Sequence, residues 1–420
     1  MEIGMGMYND VGMASLSHTI AMMGGSYMAH DTLSQSSKRS RTDASSSSGG
    51  ETSSVEDKKL LERERNRKQA RKSRSLKKQC TEQMQQQLDQ LSRDADEADA
   101  REKQQADKMT SRNDAWRRIL RKVFDMRAEG CADEDAWLEV LSADLRLTMP
   151  ITPYRSFNPV DVVNNRRVLL GVDGMISDTQ SLRVTRDNIG VKTRRTETPV
   201  SVEYTLGTDD TDGHAFFNES GLMCSFAMHT LDAIEHGANK ECAKTGMIRA
   251  RFNSDNKIEE LDMAFDAIAF YHQLMMAQGI KDFPLVPNTL DNALKHDKSR
   301  IVVTTARQPF RITHVNKAWT DLCGFELEEC QGKSLSILQG PETDMTRVAD
   351  LCKLSQKGYA TSMVVTNHNK KGELFRNHLR CYPVSSDEPG YISHIVGMLT
   401  AIPTENEEPR AMVVPAVEAF

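Results

Sequence analysis

The chain has 420 residues, enough for two or three domains, but it is 27% charged, 38% hydrophobic and only 6% aromatic, so packed domains must share it with extended or unpacked segments. A formal net charge of -6 would oppose nucleic acid if it were uniform; here cations crowd near residue 70, and a phosphate senses only charge within roughly 8–10 Å. Eight cysteines without a CxxC pair or metal-ligand spacing predict free thiols, a reducing compartment and no metal site. No apolar run is long enough for a membrane span and no basic n-region opens a secretory signal. No membrane partner is therefore expected, and no nucleophile, metal set or phosphate loop points to an enzyme, so catalytic residues are expected to be absent.

Residues 1–54, rich in Met, Gly and Ser, predict a disordered N-terminal arm, with SKRSR as a candidate import or phosphorylation segment. From Glu51 to Glu129 there is neither glycine nor proline, and Gly130 follows, which predicts one long helix closed by a glycine stop; the basic region and coiled coil are assigned to 55–129. Within it, Glu62 to Lys78 places Asn66, Gln69, Ala70, Ser73 and Arg74 on one helical face. Arg63, Arg65, Arg67, Lys68, Arg71, Lys72, Lys77 and Lys78 flank that face. Such a helix suits the major groove of double-stranded DNA, cations on phosphates and Asn or Arg on base edges. Heptads counted from Thr81 give a dimer seam of Met84, Leu88, Leu91, Met109, Trp116, Ile119 and Val123, weakened in the middle by Ala95, Ala98, Glu102 and Gln105. Asp94 and Asp99 would oppose each other in a parallel homodimer, so pairing is expected to be weak or partly heterotypic. The distal part, Trp116 to Met126, fits docking on the next domain equally well.

Residues 131–290 predict an α+β domain. Ala136–Leu147 and Arg166–Asn188 read as helices, and Pro199–Tyr204, Ala215–Asn218, Leu222–His229 and Met247–Phe252 as strands. Ile258–Phe265 fits a strand or a helix. Residues 296–402 predict two strands (Ser299–Ala306, Phe310–His314), a short helix at Lys317–Cys323, a longer one at Glu342–Gln356, and three strands at Ala360–Asn367, Leu374–Val384 and Tyr391–Ala401. The acidic and aliphatic tail, 403–420, predicts disorder.

Asn66-Arg-Lys-Gln-Ala-Arg-Lys-Ser73-Arg74, with Met84 ten positions after Arg74, resembles the basic region of basic leucine zipper (bZIP) transcription factors. Gln69 departs from that pattern by replacing a small residue. The middle domain's element order is similar to the cone-shaped domains of the nuclear-transport-factor-two-like superfamily; His229, Asp232, Asp262 and Asp266 lie within it without a spacing that pairs them. The last domain resembles a PAS domain, closest to the flavin-binding light, oxygen or voltage (LOV) subclass through VNKAWTDLCGF, GKSLSILQGPETD and NHNKKGELFRN. The resemblance places Leu335, Gln339, Asn367 and Asn377 in its pocket. Leu335 stands where the subclass has its photoreactive cysteine, Ser336 where it has a phosphate-binding arginine, and Leu399 where it has a glutamine. These departures remove the cysteine route and predict no flavin cofactor. In sum the chain resembles the bZIP-PAS transcription factors of diatoms and related stramenopiles. That resemblance implies a multidomain nuclear, DNA-binding regulator of transcription, acting as a homodimer or bZIP heterodimer and regulated or dimerised through its PAS module, which is also a candidate site for a protein partner. The alternatives are a flavin-binding or redox PAS sensor or photoreceptor, and a coiled-coil scaffold.

Overall fold

The computed structural model describes residues 55–190, 198–209, 215–281, 285–297, 299–385 and 391–402. The arm and tail expected to be disordered lie outside the described residues. The chain forms a long N-terminal helix followed by mixed α/β domains of PAS/LOV-like type. Helix α1 (Val55–Glu129) is continuous over 75 residues. It begins with Glu56 and Asp57 in its first turn, where negative charge meets unpaired N–H groups. It ends at Gly130, whose φ of 75° lets Cys131 N–H donate back to Met126 O at 3.0 Å, a turn that costs least at glycine.

Contacts divide the chain into two units, after Arg93. In the first, Met84, Leu88 and Leu91 are 60–66% exposed. In the second, the last turns of α1 are part of a domain core: Leu120, Val123 and Phe124 are fully buried. Trp116 stacks on Phe252 with ring centroids 4.7 Å apart and donates its indole N–H to Asn256 Oδ1 at 3.0 Å. The apolar face carrying Trp116, Ile119 and Val123, assigned in sequence to a dimer seam, is thus covered within the chain by the middle domain. Met109 remains exposed.

The middle domain continues through α2 (Glu134–Leu138), β1 (Leu141–Pro150), β2 (Val162–Val163), β3 (Arg166–Leu170), α3 (Gly171–Asp187), β4 (Val202–Leu206), β5 (Ala215–Phe217), β6 (Gly221–Thr230), β7 (Ala243–Phe252), β8 (Ile258–Phe265), α4 (Ala267–Gln278) and α5 (Leu290–Leu294). Its sheet runs β2-β3-β1-β8-β7-β6-β4, with β5 paired to β6; β1 and β8 are parallel and the other pairs antiparallel. The helix expected over Ala136–Leu147 is instead the end of α2 and most of β1. A register shift between Leu141 and Arg146 buries both Leu141 and Leu145, so an irregular strand reproduces the four-residue apolar spacing of a helix. Arg166–Asn188 likewise splits, because β3 pairs with β1 and the chain turns into α3 at Gly171, φ 69°. Ile258–Phe265 is a strand.

The C-terminal domain holds β9 (Arg300–Thr305), β10 (Ile312–Val315), α6 (Lys317–Cys323), α7 (Leu327–Cys330), α8 (Met345–Gln356), β11 (Thr361–His368), β12 (Leu374–Ser385) and β13 (Ile392–Ile402). Its antiparallel sheet runs β10-β9-β13-β12-β11, following the strands read from sequence to within a few residues. Helix α6 starts where the Asn316 side chain accepts from Trp319 N–H and stops at Gly324 in the left-handed region.

Helix α3 lies between the two sheets, touching β1 and β3 on one side and β11 on the other. Ile301, Val303, Tyr382, Val384, Val396 and Met398, from alternate positions of β9, β12 and β13, pack with Val184 of α3 and with Val286 and Ala293. Tyr359 donates to Asp173, and Ser362 Oγ to Asp187 Oδ2 at 2.5 Å. The outer face of the C-terminal sheet is therefore occupied by the same chain.

Candidate functional site

Because side chains alternate along a strand, the residues opposite that covered face project to the inner side of the C-terminal sheet. Val302 and Thr304 come from β9, Met363, Val365 and Asn367 from β11, Leu379 and Cys381 from β12, and Ile395, Gly397 and Leu399 from β13; together they floor a cavity of about 270 Å³. Its roof is the short 3-10 turn Leu335–Leu338 with Gln339, the loop Gln308–Phe310, and Val348, Leu351, Cys352 and Ser355 of α8. That volume is near the lower end of the roughly 300–1,000 Å³ of small-molecule pockets, and the mix of apolar wall with few polar groups matches them.

Of the four residues assigned to the pocket, Leu335, Gln339 and Asn367 line it directly. Asn377 is fully buried and two positions from Leu379 on the same face of β12. Its Nδ2 donates to Val365 O at 3.4 Å, while its Oδ1 has no hydrogen-bond partner. A buried amide oxygen without a partner costs on the order of 1–3 kcal/mol. Four side-chain amides, Gln308, Gln339 and Asn367 in the lining and Asn377 beside it, thus stand in or beside a mainly apolar chamber, an arrangement that suits a flat heteroaromatic ring with donors and acceptors at its edge. A flavin ring fits this set. Among the described residues no lysine or arginine lines the chamber, and Ser336 is exposed with its hydroxyl 2.6 Å from that of Ser334, so none of them offers a fork to a phosphate.

Sequence reasoning missed the two thiols in the wall. Burial pushes Cys381 up to about 12 and raises Cys352 as well, so both present neutral S–H groups rather than thiolates. Strand alternation from Asn377 would have found Cys381. Cys323 and Cys330 pack with Trp319 in the core behind the chamber and do not line it.

The basic-helix residues Asn66, Gln69, Ala70, Ser73 and Arg74, with Arg63, Arg65, Arg67, Lys68, Arg71, Lys72, Lys77 and Lys78, are all exposed on α1; Lys78 pairs with Glu82 at 3.8 Å. His229, Asp232, Asp262 and Asp266 do not assemble. His229 is exposed, Asp232 accepts from Ser201, Asp262 pairs with Arg249, and Asp266 caps α4. Among the described residues no group of three or more His, Cys, Asp or Glu is placed to hold a metal ion, and no helix is long and apolar enough to cross a membrane.

No family model matches this chain. A bacterioopsin transcriptional activator of Halobacterium salinarum is 32% identical over 108 residues, 26% of this chain and 16% of that protein. A blue-light-activated histidine kinase of Rhizobium johnstonii is 33% identical over 106 residues, 25% of this chain and 30% of that protein. Among solved structures, the dark state of the blue-light photoreceptor Aureochrome1 LOV is 27% identical, covering 29% of this chain and 89% of that one, with a TM-score of 0.25. The chain thus spans less than a third of these curated relatives, a stretch the size of its C-terminal domain.

Two expectations are corrected by these relatives. Classification as a DNA-binding bZIP transcription regulator, drawn from Asn66 to Arg74, is overturned: the similarity runs to a sensor module carried by blue-light-activated kinases and a phototropin. The expectation of no flavin is overturned on the same finding, since the missing cysteine at Leu335 bears on one photochemical route and not on whether the chamber holds a ring. The shared stretch makes this chain the carrier of a PAS/LOV-like sensor domain related to those of light-activated histidine kinases.

Proposed function

We propose that the chain is a sensor whose C-terminal chamber takes a flavin-class chromophore or redox cofactor. The observation that carries the reading is the Gln339, Asn367 and Asn377 amide set in an apolar cavity, in a domain related to blue-light-activated kinases. A bound flavin supplies blue-light absorption and one- or two-electron redox capacity. Leu335, Leu379 and Leu399 would hold the ring, the amides would supply its hydrogen-bond partners, and the enclosing wall would exclude water. With leucine at 335 and neutral thiols at 352 and 381, signalling proceeds without a thiolate.

The outer sheet face then passes any change to α3, against which it is packed. The exposed heptad residues Met84, Leu88 and Leu91 serve to pair α1 with a second copy, whose identical stripe is complementary in spacing.

Reconstitution tests the chromophore. Full-length protein incubated with riboflavin or with flavin mononucleotide and desalted should retain a blue absorption band and quench flavin fluorescence. The two ligands should bind within about threefold of each other, because a phosphate finds no charge-assisted partner, which elsewhere is worth ~1.5–3 kcal/mol. Colourless protein with both ligands overturns the reading.

A further inference from the structure

A second interior, in the middle domain, has the opposite character. Arg127 of α1, Arg155 of the loop after β1 and Arg167 of β3 converge on one carboxylate, Asp178 of α3, and all four side chains are at most 2% exposed. Arg127 Nη2 donates to Asp178 Oδ2 at 2.6 Å and Arg167 Nη1 to Oδ1 at 3.1 Å. Arg155 pairs with the same carboxylate and donates to its backbone oxygen at 2.5 Å.

Lys244 of β7 is 5% exposed. Its ammonium sits 4.3 Å from the centroid of the Phe265 ring and 5.3 Å from that of Phe270, and among the described residues it has no carboxylate or hydrogen-bond partner. Arg155 and Arg127 act on that ammonium, Tyr154 meets the same Phe270 ring, and the Tyr154 hydroxyl and the Nε atoms of all three arginines are buried without hydrogen-bond partners.

The count of charge decides what this means. Four buried cationic side chains face one buried carboxylate; Asp161 acts on Arg167 from the half-buried rim and the exposed Asp266 acts on Tyr154, and positive charge remains in excess. Each uncompensated buried charge is strongly unfavourable, and an ion pair offsets that cost only when its geometry and remaining hydrogen bonds are satisfied. Asp178 is saturated by three guanidiniums and cannot serve Lys244 as well.

We propose that the middle-domain interior is a binding site for a small oxyanion, a carboxylate or phosphate, received by Lys244 and the Tyr154 hydroxyl beside Arg155. The aromatic surroundings favour an anion that carries an apolar group: Tyr154 meets Phe270 edge-on at 5.5 Å, and Phe265 lies under the ammonium. Burial first, then Arg155 and Arg127, bring the Lys244 ammonium down to about 7. An arriving anion therefore restores a proton the empty interior only half retains, and binds best below that pH. The site is independent of the flavin chamber and stands or falls without it.

Calorimetric titration of the full-length protein with benzoate and, separately, inorganic phosphate, at matched ionic strength and pH below about 7, tests it. Saturable binding of one anion per chain, accompanied by a rise in melting temperature, is expected for at least one of the two; benzoate ahead of phosphate assigns an apolar acid, the reverse a phosphate compound. Lys244→Met should weaken that binding about 10- to 100-fold and, because it removes an unpaired buried charge, should melt higher than the wild type without ligand. Tyr154→Phe should weaken it several-fold. Absence of saturable binding by both anions, unchanged affinity in Lys244→Met, or a lower ligand-free melting temperature in that variant overturns the proposal.

Discussion

The two α/β interiors of this chain are built on sheets that share α3 as a wall, yet they are furnished in opposite ways. The C-terminal chamber is mainly apolar with neutral amides and neutral thiols, and among the described residues no lysine or arginine lines it; the middle-domain interior gathers three guanidiniums on one carboxylate and leaves a fourth cation, Lys244, without an ion-pair partner. A low-dielectric cavity amplifies whatever polarity it contains. The first interior selects by shape and hydrogen bonding, whereas the second selects by charge. One fold class thus gives one molecule two recognition chemistries, and the difference can be broken from either side.

The largest effect is expected at Asp178. Asp178→Asn leaves three buried guanidiniums without their anion and should destabilise the middle domain by ~3–5 kcal/mol, measured by denaturant unfolding followed through Trp116 and Trp137 fluorescence. Burial alone would raise the Asp178 carboxyl, but Arg155, Arg127 and Arg167 outweigh it and hold the group well below the usual carboxylate range. A folded-state pKa below the unfolded one means that its contribution is fully present above the unfolded value of 3.8 and is lost as pH falls below that value toward the folded one.

Lys244 carries the opposite sign. Its folded value of about 7 lies below the ordinary 10.5, so the unfolded chain holds the extra proton between them and ligand-free stability rises with pH across that window. Lys244→Met should be more stable than the wild type below pH 7 by on the order of 2–4 kcal/mol, with the gap closing as pH approaches 10. A gap independent of pH would separate the ammonium from the effect.

In the C-terminal chamber, Leu379→Trp fills the floor. Overpacking of that kind costs ~1–3 kcal/mol in stability, and flavin retention after desalting should fall at least about tenfold, which is ~1.4 kcal/mol, with anion binding to the middle domain unchanged. Loss of both activities together would show that the two interiors are coupled through α3. The smallest effect is expected at the shared wall: Tyr359→Phe removes the hydrogen bond to Asp173 and should cost ~1 kcal/mol, read as a modest rise in hydrogen exchange along α3.

Much of the C-terminal domain was legible from residue order. Its strands alternate or run apolar, Gly324 stops α6 where the left-handed region is needed, and three of the four residues assigned to the pocket line one cavity. The middle domain was less legible for a specific reason. In β1 the register shift at Leu141 to Arg146 imitates helical spacing. Helix α3 buries Asp178, Thr179, Gln180, Ser181, Thr185, Arg186 and Asp187, residues whose polarity predicts a solvent-facing side. Except for Thr179, whose hydroxyl is buried without a partner, they are tolerated inside because partners lie on both flanks: Ser181 Oγ donates to Ser156 O at 3.1 Å, Gln180 Nε2 to Gly130 O at 2.8 Å, and Arg186 Nη1 to Ala128 O at 2.6 Å.

By itself the sequence determined what depends on neighbours along the chain: the uninterrupted helix from Val55 to Glu129, set by the absence of glycine and proline, and the order of strands and caps in the last domain. Only the tertiary structure decided what depends on groups remote in sequence. It turned Trp116 and Val123 from a seam into core, covered the outer face of the C-terminal sheet with α3, and brought Arg127, Arg155, Arg167, Asp178 and Lys244 together. Local propensity and periodicity act over a few residues, whereas charge and burial act through space, and no spacing rule along the chain encodes where five distant side chains meet.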